Sequence, residues 1–238
     1  MAFGQDPRMM DTTHARTAHM DVGLRKYMLR VYNYMASGVA LTGAVAAGVA
    51  SSETLMQAIF GTPLFWVVAL APIGFVLFLS ARINHIKAST AQMLFWIYAA
   101  LVGASIASIF VVYTGESIAR VFFISAASFA GLSLWGYTTK KDLSGMGSFL
   151  IMGLIGIIIA GLVNIFLEST ALHFTISAIG VLIFAGLTAY DTQRIKAIYY
   201  EGDDSETAGK KSIMGALSLY LDFLNIFLFL LQFLGNRE

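Results

Sequence analysis

The sequence predicts an all-α integral membrane protein with seven transmembrane helices, and three observations carry that expectation. Of its 238 residues 58% are hydrophobic and 12% charged, whereas a soluble domain carries about 25% charged residues. Seven stretches offer the roughly 20 mostly apolar residues that a spanning helix needs. The connectors "TGES" (114–117) and "EST" (168–170) are too short to hold a soluble domain, so one bundle accounts for residues 26–238.

In chain order, residues 1–25 intersperse Asp6, Arg8, Asp11, Arg16, Asp21 and Arg25 with no apolar core. That pattern excludes a cleavable signal peptide and predicts a disordered, solvated tail. Helix 1 is expected over 27–50, where "SGVALTGAVAAG" (37–48) places Ala44 and Gly48 four apart, a spacing for close helix packing. Helix 2 is expected over 63–82 and helix 3 over 92–113. Helix 4 spans 117–137, and helix 5, over 148–167, repeats the small-residue spacing at Gly156 and Ala160. Helix 6 (172–192) and helix 7 (213–234) flank the longest polar loop, "EGDDSETAGKK" (201–211), expected to be a mobile aqueous link. Trp66, Trp96, Trp135, Tyr113 and Tyr137 near helix ends form the expected interfacial belt.

Lys and Arg near helix ends are retained on the cytoplasmic side. Arg8, Arg16, Arg25, Lys26 and Arg30 precede helix 1, Arg82 and Lys87 follow helix 2, and Lys140 and Lys141 follow helix 4. With Arg194, Lys196, Lys210 and Lys211 between helices 6 and 7, thirteen of the 15 basic residues share one face; Arg120 and Arg237 lie on the other. The expected N-terminus is cytoplasmic and the C-terminus outside. A net charge of +1 with no basic surface argues against nucleic acid. The absence of cysteine excludes disulfides, a thiol nucleophile and Cys-based metal clusters. His14, His19, His85 and His173 are scattered without an HExxH pair, "GLSLW" (131–135) lacks the closing glycine of a nucleophile elbow, and no phosphate-binding loop occurs. Neither an enzyme nor a bound cofactor is expected.

Within the apolar spans the ionisable residues reduce to Asp191, Asp222 and Arg82. A carboxylate at mid-bilayer costs about 2.5–3.5 kcal/mol on the insertion scale, so it is kept where it faces protein or water and has work to do. On helix 7, Ser218, Asp222, Asn225 and Gln232 form one polar stripe on an otherwise Leu, Phe and Ile surface, which predicts a helix within the bundle lining a polar seam. Ser177, Thr188 and Asp191 fall on one face of helix 6. Measured from Arg194 and Ser212, Asp191 lies ~5 Å and Asp222 ~15 Å inside the same membrane face. If the two meet, they cannot both ionise cheaply and hold a proton between them. The plain alternatives are a solvated Asp191 contacting Arg194 at i,i+3, a structural hydrogen bond from Asp222, and an Arg82 that snorkels to headgroups rather than turning toward the acids.

"GLTAYDTQRIK" (186–196) and "GALSLYLDFLNIFLFLLQFLGNRE" (215–238) resemble the two most distinctive stretches of the Bax inhibitor-1 family, and "YTTKKDLSGMG" (137–147) and "LVNIFLES" (162–169) resemble its bacterial branch. The resemblance implies seven helices with the last one central, in a bacterial inner membrane, and a pH-sensitive calcium leak. It implies Asp191 and Asp222 as the sensing pair, with Arg82 as a linked basic residue; an acid found on helix 2 of some members has no counterpart at 63–81. Calcium favours carboxylate and carbonyl oxygen, so Asp191, Asp222 and Asn225 offer weak ligation short of a full cage. Two rivals remain: a presenilin-like intramembrane aspartyl protease, whose glycine-flanked aspartate and proline motif are missing here, and a non-conducting regulator acting through a protein partner. The expected partners are the lipid bilayer, calcium and protons, with protein partners unassigned.

Overall fold

The computed structural model describes the backbone of residues 7–236 and side chains from Val22 onward. Of the tail expected over 1–25, residues 1–6 lie outside the described backbone, and from Pro7 onward the backbone is helical as the start of α1. Among the described residues nine α-helices follow in order: α1 (Pro7–Ala50), α2 (Glu53–Phe60), α3 (Leu64–Arg82), α4 (Ala88–Ile106), α5 (Ile109–Val112), α6 (Gly115–Thr138), α7 (Ser144–Leu167), α8 (Thr170–Ala197) and α9 (Ser205–Leu234), with a 3-10 turn at Ile83–His85. Seven segments are long and apolar enough to cross a membrane, and no strand occurs among the described residues. These are the seven spans expected from the sequence.

The extra helices and shifted ends have local causes. Helix α2 starts where the Ser52 hydroxyl accepts from the Leu55 N–H, a one-residue N-cap on an apolar octet too short to span. The third span breaks at Ala107–Ser108 and resumes as α5. The expected mobile link at 201–211 is corrected: Asp204 caps α9 by accepting from the Thr207 N–H at 2.8 Å, and Lys211 binds Asp203 at 2.6 Å. Glu206 pairs with Lys210 at 3.4 Å and accepts from the Ala88 N–H at 2.6 Å, tying this end of α9 to α4. Two helical turns of polar residues are thus ordered ahead of the apolar run.

Helix α9 is central. In its most apolar stretch 67% of residues are buried, against 6% in Leu64–His85 and 11% in α7, and it packs against α8, α1, α6 and α4. Lipid does not drive helices together as water does, so close packing and buried hydrogen bonds hold such a bundle. Tyr220 of α9 meets Phe95 and Tyr98 of α4 edge-on, with ring centroids 5.8 and 5.7 Å away. Because Thr42 donates to the Ala99 carbonyl at 2.8 Å, the Tyr220 hydroxyl is the donor in its 2.6 Å bond to Thr42. This chain joins α9, α1 and α4 with both hydroxyl hydrogens used.

Glycines serve the packing at other places than the small-residue spacing indicated. At Gly48 and Gly156 the space that a Cβ would take is open, with no neighbouring atom within 4 Å; Ala44 is exposed as well, while Ala160 is half-buried. The close approaches are at Gly38 beneath the Phe95 ring, Gly103 against Thr42, and Gly136 against the Ala189 backbone. Trp66 and Trp135 are exposed as a belt requires, but Tyr113 is buried at 6% exposure.

Candidate functional site

The "GLTAYDTQRIK" segment belongs to α8, and its residues divide between two faces. Thr188, Ala189 and Thr192 are buried, with Ala189 against Gly136 of α6. The Thr192 hydroxyl donates to the Thr188 carbonyl at 2.7 Å, and so accepts from Ser133 at 2.9 Å; Ser133 in turn accepts from Tyr32 at 2.7 Å. This run of hydroxyls fixes α8 to α6 and α1. Leu187, Tyr190, Asp191 and Arg194 fall on the other face, toward α7 and α9, so Thr188 does not share the face of Asp191 as the sequence spacing indicated.

That face lines a cleft of about 780 Å³ between α7, α8 and α9. Its lining on α8 extends from His173 to Arg194, 21 residues or ~31 Å at 1.5 Å per residue, close to the hydrocarbon thickness of a bilayer. Asp191, Ser218, Asp222, Asn225 and Gln232 all contribute, opposite an apolar wall of isoleucines on α7. The polar stripe expected on the last helix is therefore real, and it faces the expected acid on its neighbour.

Three contacts fix the register between α8 and α9. Ser177 donates to Gln232 at 3.1 Å, a Cβ at Gly180 would meet the Phe229 ring, and one at Gly215 would meet Ile195. Residue numbers at facing levels thus sum to 409 or 410. Asp191 lies level with Ser218, and Asp222 level with Leu187. The two carboxylates are offset by four residues, ~6 Å along the axes, less than the sequence-based depths implied.

Asp222 is 4% exposed, and its Oδ2 is buried with no hydrogen-bond partner among the described residues. The Asn225 amide nitrogen donates to the Leu221 carbonyl at 2.8 Å, leaving its carbonyl oxygen as the group to offer a cation. Asp191 is half-buried and Arg194 exposed; among the described residues no ion pair joins them. Asp191 and Arg194 therefore make no direct salt bridge, although Arg194 lies close enough to act on the carboxylate electrostatically.

Arg82 is a correction. It is exposed at the end of α3 and does not line the cleft. Helix α3 packs on α4 and α2, which leaves a terminal arginine free to run outward along its own stem. The basic residue in the cleft is Arg194, three positions after Asp191 and on its face; that spacing was the available signal. His173, Asn164 and Tyr190 also line the cleft without any sequence pattern to single them out. No group of three or more His, Asp or Glu side chains able to hold a metal occurs among the described residues. Two carboxylates and one amide oxygen fit a passing hard cation better than a resident one, which takes six to eight oxygens.

The protein-family model described as "Inhibitor of apoptosis-promoting Bax1" matches residues 24–238. Inner membrane protein YbhL of Escherichia coli strain K12 is 47% identical over 219 residues, covering 91% of this chain and 94% of its own. An uncharacterized protein of Rickettsia prowazekii is 49% identical over 227 residues, 95% of this chain and 96% of its own. An uncharacterized membrane protein of Streptococcus pyogenes is 33% identical over 227 residues, 94% and 99% respectively.

Proposed function

The chain belongs to the Bax inhibitor-1 family, and from that premise we propose that it is a pH-sensitive calcium-leak channel in which Asp191 and Asp222 form the sensor. One observation carries the reading: both aspartates line a single cleft as long as the bilayer is thick, one helical turn apart. Two negative charges at that spacing are costly in a low-dielectric seam, so the pair keeps a proton until a cation replaces it. A calcium ion entering the cleft meets two carboxylates and the Asn225 carbonyl oxygen, enough to replace part of its water and too little to trap it. Protonation removes negative charge from the same place, so protons and calcium compete.

The membrane is a bacterial inner membrane, as for YbhL, with the N-terminus cytoplasmic by the distribution of lysine and arginine. The channel carries out no bond-breaking chemistry and needs no cofactor. Calcium entry into proteoliposomes at two pH values, for wild type, Asp191→Asn and Asp222→Asn, tests the proposal. Both substitutions should flatten the pH response; an unchanged response in both would remove the sensor. Cleavage of a helical membrane substrate, lost in Asp222→Asn, would instead favour the aspartyl protease. Flux that appears only beside a second protein would favour a regulator.

A further inference from the structure

The cations at the α6–α7 and α8 end of the bundle fall into two groups. Lys196 donates to the Tyr137 carbonyl at 2.8 Å and lies over its ring, and Lys211 is paired with Asp203. Lys140, Lys141 and Arg194 have no ion-pair or hydrogen-bond partner for their charged groups among the described residues, and all three are exposed. They converge. Together they line a pocket of about 360 Å³, which also includes Asp142.

The pocket is built rather than incidental. Gln193 of α8 donates to the Lys141 carbonyl at 2.8 Å and accepts from the Leu143 N–H at 2.9 Å, holding the α6–α7 connector against α8. Ordering that connector places two lysines beside Arg194 despite their mutual repulsion. Asp142 offsets one of the three charges. Its carboxylate accepts from the Ser144 N–H at 2.9 Å, and this hydrogen bonding with Ser144 holds its carboxyl below the usual range. Within the pocket itself the net charge is positive by two, and Asp191 of the adjoining cleft is the further carboxylate that Arg194 feels.

Tyr190 and Arg194 line this pocket and the long cleft alike, so the basic mouth opens directly onto the apolar wall of Ile151, Leu154 and Ile158 on α7. Helix α7 packs on α8 and is otherwise turned to lipid, with 11% of its apolar stretch buried. A ligand suited to both parts has an anionic head and a long apolar chain. Basic pockets between helices at a membrane face take anionic lipid headgroups on the same grounds.

We infer that Lys140, Lys141 and Arg194 form a binding site for one anionic phospholipid, its phosphate at the basic mouth and one acyl chain along the α7 wall of the cleft. The site stands whether or not the cleft conducts calcium, because it rests on charge and apolar surface alone. A soluble phosphate would satisfy the mouth but leave the wall unused, which is why a lipid is the assigned occupant.

The test uses the full-length protein in bilayer nanodiscs of equimolar phosphatidylglycerol and phosphatidylcholine, with the lipid retained after mild detergent extraction counted by native mass spectrometry. Each cation near a membrane surface contributes roughly fivefold to anion binding, so a net of two gives roughly 25-fold enrichment of phosphatidylglycerol. The triple variant K140Q/K141Q/R194Q, which leaves only the Asp142 charge, should lose the enrichment and fall to roughly fivefold depletion, and Asp142→Asn, which keeps an acceptor for Ser144, should raise enrichment roughly fivefold. No enrichment in wild type, or full enrichment in the triple variant, overturns the site. If the triple variant does not fold, Asp142→Asn decides alone, and unchanged enrichment overturns it. Equal competition by glycerol phosphate, which has the head without the chain, overturns the lipid in favour of a soluble anion.

Discussion

Replacing Asp222 with asparagine keeps the shape of the cleft and removes one of its two acids. The ~6 Å axial offset set by the α8–α9 register is the least separation the two charges can have, so they repel by at most about 2.8 kcal/mol with an effective dielectric of 20. That disfavours the doubly ionised pair by at most about a hundredfold. Below about pH 6 the wild-type pair therefore holds one proton, and a calcium ion that takes its place must release it. Linkage then makes calcium binding weaken about tenfold for each unit of acidification. In Asp222→Asn no second charge raises the cost of ionising Asp191, so calcium binding there releases no shared proton. The apparent calcium constant, measured by calcium-dependent flux into proteoliposomes, should lose its pH slope while becoming weaker overall. A slope unchanged in Asp222→Asn would refute the shared-proton reasoning, since the two carboxylates would then be titrating independently or not at all.

The other residues give further expectations. Arg82→Gln should leave flux and its pH slope unchanged, whereas Arg194→Gln should raise calcium entry by about fivefold, the effect of about 1 kcal/mol from an exposed charge; equal effects would contradict the assignment of Arg194 to the cleft. Gly136→Ala brings a Cβ onto the Ala189 backbone and should cost about 1–3 kcal/mol in thermal unfolding in detergent, while Gly131→Ala, with nothing within 4 Å, should cost none of this. Tyr220→Phe removes the donor to Thr42 and should cost about 0.5–1.5 kcal/mol in the same assay. Hydrogen bonding from Thr207 holds the Asp204 carboxyl below its usual range, so its support of the α9 start is full above about pH 4 and lost as pH falls through the lowered value. Exchange of the Thr207 amide hydrogen should speed up on that side only, and Asp204→Ala should abolish the pH dependence.

What the chain discloses by itself follows from the range of each signal. Span number needs only apolar length, and so "IMGLIGIIIAGLVNIF" is as plain a helix in sequence as in space. Facing requires periodicity, which is why Ser218, Asp222 and Asn225 were already one stripe. Register requires a contact between helices: nothing before the Ser177–Gln232 bond indicated that Asp191 sits four residues from the level of Asp222. Arg82 and Arg194 illustrate the same limit, because hydropathy places both at one membrane face and cannot say which helix lies beside the acids. The spacing of Ala44 with Gly48 marks a flat helix surface without saying that a neighbour covers it; here none does. The start of α9 was more legible than the charge density of 201–211 suggested, since Asp204 stands three residues before Thr207 in a capping arrangement. Its polar first turns hid it from a hydropathy window.

Arg194 of the basic mouth and Asp191 of the acidic seam lie about one helical turn apart on α8. Any anion seated at the mouth alters the field at Asp191. Lipid composition and pH therefore act on neighbouring groups, and reconstitutions intended to compare variants should hold the anionic lipid fraction constant.

The chain contains no cysteine, so the variant Asp191→Cys/Asp222→Cys carries two thiols and no others. With a protease site inserted between Ile198 and Asp204, a water-soluble bridging reagent long enough to cover the ~6 Å axial rise of four helical residues together with the spacing of two packed helices, roughly 8–10 Å, should join the two positions and keep the fragments together after cleavage. Fragments that separate, although each cysteine alone reacts with a polar thiol reagent, would place the two residues on different surfaces and contradict the account.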